Sequence, residues 1–149
     1  MRIGLLGVGT VGSGLVEVLA GRGDVRVARM LVRAVRGENM TANPDEVFGD
    51  ASIDTIVETI GGTDAAAEYA FRALRAGKHF VTANKALVAA HGAELDALAR
   101  EKGVAFLFGA ACGGGIPFLR SLCDARRVER IAAVGGILNG TTNYMLDLM

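Results

Sequence analysis

The first twelve residues predict a phosphate-binding turn, and this feature limits the possible folds most. Residues 2–6 form a short apolar run that is typical of a buried strand. The run leads into Gly7-Val8-Gly9-Thr10-Val11-Gly12, after which apolar residues recur at helical spacing. A strand, a glycine turn and a helix in this order are the context that the GxGxxG pattern requires for dinucleotide binding.

Each glycine of this turn has its own expected role. Gly7 allows the tight turn, Gly9 lets the backbone approach a pyrophosphate, and Gly12 lets the helix pack closely on the strand. Unpaired N–H groups at the helix start, together with the positive end of the helix dipole, would hold the phosphates. An ordinary glycine-rich turn is the alternative, and the position directly after a strand favours a dinucleotide site.

Composition excludes several classes of protein. The chain has 149 residues, enough for one domain or for one domain and the start of another. Its sixteen basic and sixteen acidic residues leave no basic surface for nucleic acid or an anionic membrane. Cys112 and Cys123 lack the spacing of a zinc site or a disulfide framework. Without a signal-peptide pattern or an apolar membrane-spanning stretch, we expect a cytoplasmic, reduced protein.

Beyond the first helix, predicted strands and helices alternate. We expect strands at 25–35, 53–58, 79–82 and 104–108, and helices from Pro44, between Thr63 and Gly77, and at 94–102. This alternation predicts an α/β fold, a Rossmann-type doubly wound parallel sheet with both faces covered by helices.

The last quarter departs from this alternation. Pro117 suits the first turn of a helix, residues 131–138 resemble a strand, and Thr141 or Thr142 would cap a final helix in which the chain stops. We therefore expect a dinucleotide-binding domain at 1–126, with 127–149 as the first strand and helix of an incomplete second domain.

Three later segments carry candidate site residues. Glu58-Thr59-Ile60-Gly61-Gly62 and Thr82-Ala83-Asn84-Lys85 each follow a predicted strand, where open α/β sheets bind their ligands. The segment from Asn139 to Tyr144 has too many consecutive polar and glycine residues for a simple turn.

Together these segments resemble homoserine dehydrogenase, whose chains carry closely similar GTVG, TANKAL, GGGIP and GILNGTTNY segments in the same order. The resemblance implies interconversion of L-homoserine and L-aspartate 4-semialdehyde, with hydride passing to or from a nicotinamide. It also implies a homo-oligomer that acts in threonine and methionine biosynthesis.

The resemblance also implies roles for individual residues. Thr10 and Val11 would contact the pyrophosphate through backbone N–H groups, and Thr59, Gly61 and Asn84 would lie near the nicotinamide. Lys85 matches the active-site lysine, whose ammonium can donate to the substrate oxygen as charge develops. The substrate side would be lined by Asn139, Thr141 and Tyr144. The family's catalytic aspartate and second lysine lie beyond the matched segments, so we expect cofactor binding with little turnover.

Arg36 bears on the choice of cofactor. It lies where the second predicted strand ends, the position at which a Rossmann site contacts the ribose. An arginine there suits the 2′-phosphate of NADP, whereas a carboxylate accepts the 2′-hydroxyl of NAD. Glu38 lies two residues further on and keeps NAD open, but we expect NADP.

One segment departs from the family pattern. The family has a glutamate where this chain has Gly109, in a segment whose backbone carbonyls hold a sodium-like cation. The matching carbonyls are those of Cys112, Gly114 and Ile116. A hard cation benefits from a carboxylate ligand, so we expect this site to be weak or empty.

Two other functions stay open on sequence alone. One is a non-catalytic NADP(H)-binding module that needs a partner chain. The other is an acyl-enzyme semialdehyde dehydrogenase with Cys112 as nucleophile, which would need a neighbouring base or cation. Neither His79 nor His91 is near Cys112 in sequence.

Overall fold

The computed structural model describes residues 1–136 and 140–149, and for 140–143 the backbone alone. The described strands form one parallel six-stranded sheet in the order β3-β2-β1-β4-β5-β6. They are β1 Arg2–Leu6, β2 Arg26–Leu31, β3 Met40–Thr41, β4 Thr55–Glu58, β5 His79–Thr82 and β6 Phe106–Leu107. The helices are α1 Thr10–Ala20, α2 Pro44–Phe48, α3 Asp64–Arg75, α4 Lys85–Lys102, α5 Phe118–Ala125 and α6 Gly140–Asp147. The predicted Rossmann-type α/β fold is confirmed.

The strand order places a topological switch point between β1 and β4. The chain proceeds from β1 outward to β3, and then returns to β4 on the other side of β1. Because all strands are parallel, their carboxyl ends meet at one edge of the sheet. Loops that leave β1 and β4 there diverge and create the crevice in which folds of this kind bind ligands.

The main core lies between one face of the sheet and the helices α2, α3 and α4. Leu6, Ile56 and Phe80 project from this face and are fully buried. Ala70 and Leu74 of α3 are fully buried against the same cluster. Small alanines on the inner side of α3 let this helix approach the sheet closely.

The opposite face is covered less completely than predicted. There α1 packs beside an open apolar groove of about 530 Å³ that is lined by Leu15, Val57, Val81 and Leu107. Leu107 is 55% exposed. The connections from β4 to β5 and from β5 to β6 run in the same direction across the sheet and have the same handedness. Helices α3 and α4 therefore lie on the same face of the sheet. Helix α1 lies on the other face, where its Leu15 and Leu19 line the groove.

Two predicted boundaries were wrong by more than two residues. The strand expected at 25–35 ends at Leu31, because the chain leaves the sheet there and re-enters it as the unpredicted strand β3, which pairs in parallel with Met30 and Leu31. The helix expected at 94–102 begins nine residues earlier, at Lys85, because the side chain of Asn84 caps it. This second correction places Lys85 in the first turn of a helix.

The last quarter also differs from the prediction. Residues 131–136, the described part of the strand expected at 131–138, pair with no other strand and are therefore not a strand. The final helix begins at Gly140, so Thr141 and Thr142 lie inside it and do not cap it. Within the described ranges no helix is long and apolar enough to cross a membrane.

Candidate functional site

The turn between β1 and α1 has the geometry expected of a phosphate-binding turn. Gly7 has a φ of +90°, which favours glycine, and its N–H donates to Leu31 O at 3.0 Å. A Cβ at Gly12 would lie only 2.2 Å from Gly7 O. Helix α1 therefore packs directly against the turn, and no larger residue fits at Gly12 without displacing it.

The start of α1 offers unpaired backbone donors. Gly9 occupies the N-cap position and has no side chain with which to cap the helix. In the described part of the chain, the N–H groups of Thr10, Val11 and Gly12 have no hydrogen-bond partner. A Cβ at Gly9 would meet no atom within 4 Å, so the space in front of these donors is open. Free donors at the positive end of a helix fit a pyrophosphate.

A cleft of about 870 Å³ adjoins this turn, and two arginines line it. Arg36 is one of them, and Arg33, which we did not single out from the sequence, is the other. Both are exposed, and neither forms an ion pair within the described chain. Glu38 is not among the lining residues. The signal that sequence reasoning missed was the second arginine between β2 and β3.

Thr59 holds the glycine turn in place. Its Oγ1 lies 3.0 Å from Gly7 O and 3.2 Å from Leu6 O, and its N–H donates to Leu6 O at 2.9 Å. The residue lines the cleft and is half-buried. Thr59 therefore joins β4 to the turn that follows β1, across the switch point.

Glu58 has a fully buried carboxylate to which we assigned no role from the sequence. Its Oε1 accepts hydrogen bonds from the N–H groups of Ile60 at 2.7 Å and Gly61 at 3.1 Å. Its Oε2 accepts one from Thr82 Oγ1 at 2.5 Å. Strand alternation was the missed signal, because Glu58 lies on the same face of β4 as the buried Ile56.

Asn84 links the loop after β4 to the start of α4. Its Oδ1 accepts a hydrogen bond from Leu87 N at 3.1 Å and thereby caps the helix. Its Nδ2 donates to Gly62 O at 2.6 Å, and its N–H donates to Thr82 Oγ1 at 2.9 Å. The expected neighbours Gly61 and Asn84 thus lie in one hydrogen-bonded unit.

Lys85 is the first residue of α4, and its side chain is exposed. It makes no ion pair within the described chain, and the first turn of α4 contains no acidic residue. A cation at a helix N-terminus is unfavourable by about 0.3–1 kcal/mol. A residue that opposes its own helix without a compensating contact is typical of a functional site.

The predicted cation segment lies after β6. A 3₁₀ turn at Gly109–Ala111 precedes Gly113 and Gly114, whose φ values are +81° and +61°. Ile116 O already accepts a hydrogen bond from Phe118 N at 2.8 Å. No group of three or more His, Cys, Asp or Glu side chains fit for a metal occurs in the described residues. The carbonyl site stays a prediction.

Neither histidine of the described residues is placed to act as a base for a nucleophilic Cys112. His79 Nδ1 accepts a hydrogen bond from Ala105 N at 2.9 Å, and His91 lies 3.6 Å from Glu94. Among the described residues, neither histidine is bonded to Cys112, which is half-buried. The acyl-enzyme alternative therefore has no geometric support.

The predicted substrate residues are only partly described. Asn139 and the side chain of Thr141 lie outside the described residues. Tyr144, on α6, is 66% exposed. Their proximity to the cleft therefore stays a prediction.

A parallel sheet of this order, with an open glycine turn at its switch point, defines a Rossmann-type dinucleotide-binding domain. The sequence model described as "Homoserine dehydrogenase, NAD binding domain" matches residues 7–109. The chain thus belongs to the family of homoserine dehydrogenase NAD-binding domains.

Its relatives agree with this assignment. The chain is 39% identical to a homoserine dehydrogenase of Bacillus subtilis and 41% identical to one of Pseudomonas aeruginosa, and each match covers 100% of this chain and 38% of the relative. A crystal structure of a homoserine dehydrogenase from Thiobacillus denitrificans superimposes with a TM-score of 0.90 at 41% identity, over 98% of this chain and 38% of that one. The chain thus spans a little over a third of the length of these relatives.

Proposed function

We propose that this chain is the NADP(H)-binding portion of a homoserine dehydrogenase, which interconverts L-homoserine and L-aspartate 4-semialdehyde. The observation that carries the proposal is the open glycine turn beside a cleft lined by two arginines. In this proposal residues 1–126 bind the cofactor and 127–149 begin the substrate domain.

The phosphates would be held by backbone groups. The N–H groups of Thr10, Val11 and Gly12, which have no partner among the described residues, lie at the positive end of α1 and supply donors without any side chain. Gly9 leaves the approach open. Because Thr59 and Gly7 fix the turn beforehand, little ordering of the backbone is needed on binding.

The arginines favour NADP(H) over NAD(H). Arg36 and Arg33 have no acidic partner among the described residues, and both line the cleft after β2, where the adenosine ribose lies in Rossmann domains. Guanidinium groups bind phosphate through charge-assisted, often bidentate, hydrogen bonds. The carboxylate of Glu38, which would suit the hydroxyl of NAD, is not part of the cleft.

Lys85 is the residue we propose for the chemical step. The bound nicotinamide supplies the hydride acceptor or donor. Lys85 Nζ would donate a hydrogen bond to the substrate oxygen and stabilise the negative charge that develops on it when the proton leaves. Asn139, Thr141 and Tyr144 would line the substrate side.

Comparison of the two nucleotides tests the cofactor assignment. We expect the chain to bind NADPH at least tenfold more tightly than NADH in a fluorescence titration. Arg36→Ala should raise the Kd of NADPH at least tenfold, since a hydrogen bond to a charged group contributes about 1.5–3 kcal/mol. The Kd of NADH should be unchanged.

Arg26→Ala is the matched control, because Arg26 is an exposed arginine at the opposite end of β2. It should alter neither affinity. Equal affinity of the parent chain for both nucleotides, or equal losses in the two variants, would contradict the NADP(H) assignment.

A second candidate is a non-catalytic NADP(H)-binding module that needs a partner chain, because the glycine turn and the cleft supply nucleotide contacts by themselves. Assays of homoserine-dependent NADPH formation distinguish the two. We expect little or no turnover from these 149 residues, since positioning of two reactants contributes up to about 7–11 kcal/mol. A rate on the order of 10 s⁻¹ that Lys85→Ala abolishes would show a complete enzyme instead.

A further inference from the structure

Glu58 is a fully buried carboxylate with no cationic partner among the described residues. Burial of a charged group is costly unless hydrogen bonds compensate for the lost water. Three donors do so here: the N–H groups of Ile60 and Gly61, and the hydroxyl of Thr82. An apolar residue would suit this face of β4, but it would leave these three donors without their acceptor.

One set of contacts leads from Glu58 to the phosphate-binding turn. The carboxylate holds the backbone of Ile60, and Ile60 packs against Gly7. A Cβ at Gly7 would lie 3.3 Å from both Ile60 N and Ile60 Cα, and 2.7 Å from Ile60 Cγ2. The position of the Ile60 backbone therefore limits where the turn lies.

A second set of contacts leads from Glu58 to the start of α4. Thr82 Oγ1 donates to Glu58 Oε2 and accepts from Asn84 N. Asn84 in turn caps α4 through Leu87 N and binds Gly62 O. Lys85 follows Asn84 directly, so the same chain of hydrogen bonds orients its backbone.

We propose that Glu58 is a positioning residue that holds the phosphate-binding turn and the Lys85-bearing start of α4 in one arrangement. This inference rests on the proposed function, since it concerns the same site. Glu58 touches neither cofactor nor substrate in this proposal and acts through Ile60 and Thr82. Cofactor affinity and the position of Lys85 then depend on a single buried group.

A carboxylate suits this role better than an amide. All three partners donate, and only a carboxylate presents acceptors on both of its oxygens. A glutamine would direct its NH₂ group at one set of these donors, and the hydrogen bonds to its remaining oxygen would lose the charge assistance of a carboxylate. Both connections would therefore weaken. Glu58→Gln therefore perturbs the network with almost no change in volume, and it is the principal test variant.

Lys78→Met is the matched control. Lys78 is 7% exposed, and its Nζ donates to Asp50 O at 2.8 Å and Ile53 O at 2.6 Å. It lies at the amino-terminal edge of the sheet, opposite the candidate site. Its substitution also removes buried hydrogen bonds, so it measures how a general loss of stability affects the readouts.

Three quantities are measured for the 149-residue chain and its variants: the unfolding temperature, the Kd of NADPH, and amide hydrogen exchange. We expect Glu58→Gln to raise the Kd at least tenfold. It should also speed exchange at Ile60 and Gly61 on one side and at Asn84 and Leu87 on the other. Lys78→Met should leave the Kd within twofold and the exchange at these four amides unchanged, even if its unfolding temperature falls as far as that of Glu58→Gln.

Thr82→Val separates the two connections, because valine has the shape of threonine without its hydroxyl. It should speed exchange at Asn84 and Leu87 while exchange at Ile60 and Gly61 stays slow. A Glu58→Gln variant that binds NADPH as tightly as Lys78→Met, or that speeds exchange on one side alone, would overturn the inference. Failure of the parent chain to bind NADPH would instead refute the proposed function.

Discussion

Substitution of Gly12 by alanine tests the packing on which the phosphate-binding turn depends. The added Cβ would stand 2.2 Å from Gly7 O and 2.9 Å from Thr59 Oγ1, whereas ordinary contacts lie at 3.4–4 Å. Neither neighbour is a flexible side-chain end, because one is backbone and the other is hydrogen-bonded to the turn. Helix α1 therefore has to move away from the turn by about 1 Å.

The expected loss of stability follows from two opposing effects. Overpacking of a closely packed site costs about 1–3 kcal/mol. Replacement of glycine by alanine inside a helix returns up to about 1 kcal/mol. Because the added Cβ would clash with backbone, the cost lies near the upper end of this range and the net loss is about 2 kcal/mol. At roughly 2–4 °C per kcal/mol for a chain of this size, the unfolding temperature should fall by roughly 4–8 °C.

Gly14→Ala is the matched control, since Gly14 lies in the same helix and its added Cβ would meet no atom within 4 Å. This variant should be more stable than the parent by about 0.5–1 kcal/mol. Thermal unfolding followed by circular dichroism measures both changes. A titration with NADPH should show at least a tenfold loss for Gly12→Ala, whose helix amides are displaced, and none for Gly14→Ala. Equal unfolding temperatures for the two variants would refute the reasoning.

Three further predictions concern single side chains. Lys85→Gln should unfold at the same or a higher temperature than the parent, because it removes a cation from the start of α4; a lower temperature would show that Lys85 stabilises the fold. Gly109→Glu should be tolerated, because a Cβ there meets no atom within 4 Å, and it should make the unfolding temperature depend on sodium but not on potassium; a parent chain with the same sodium dependence would contradict this. The hydrogen bond from Arg22 lowers the pKa of Asp24 from 3.8 to about 2, so its contribution to stability is present above pH 3.8 and lost as the pH falls towards 2. Asp24→Asn should flatten acid unfolding in that window at low salt, and an unchanged profile would argue against it.

The fold and the phosphate-binding turn were predicted from local patterns. Alternating apolar strands and helices determine a parallel sheet, and Gly7 and Gly12 have the roles in the turn that their spacing indicates. His79–Thr82 was predicted residue for residue, because a buried strand has a strong periodic signal. Element ends were predicted less well, since the cap at Asn84 and the two-residue β3 depend on single hydrogen bonds.

The candidate site was predicted only in part. Lys85 and Arg36 were proposed from the sequence because each follows a predicted strand at the ligand-binding edge. Arg33 and Glu58 were not proposed from the sequence. Arg33 is distinguished by the cleft that it lines, and Glu58 by the hydrogen-bond donors around its carboxylate. Thr82, one of the donors to Glu58, lies more than twenty residues further along the chain, and sequence spacing does not show such a contact.

By itself the sequence determined the Rossmann fold, the glycine turn and the family, since all three depend on residues that are close together in the chain. Tertiary structure alone decided that Thr59 holds the glycine turn, that Glu58 is buried between two loops, and that Lys85 is the first residue of a capped helix. The physical reason is that parallel strands align their carboxyl ends only when the sheet forms. Loops that are far apart in sequence then form hydrogen bonds with the same groups, and a single carboxylate, that of Glu58, can hold two such loops.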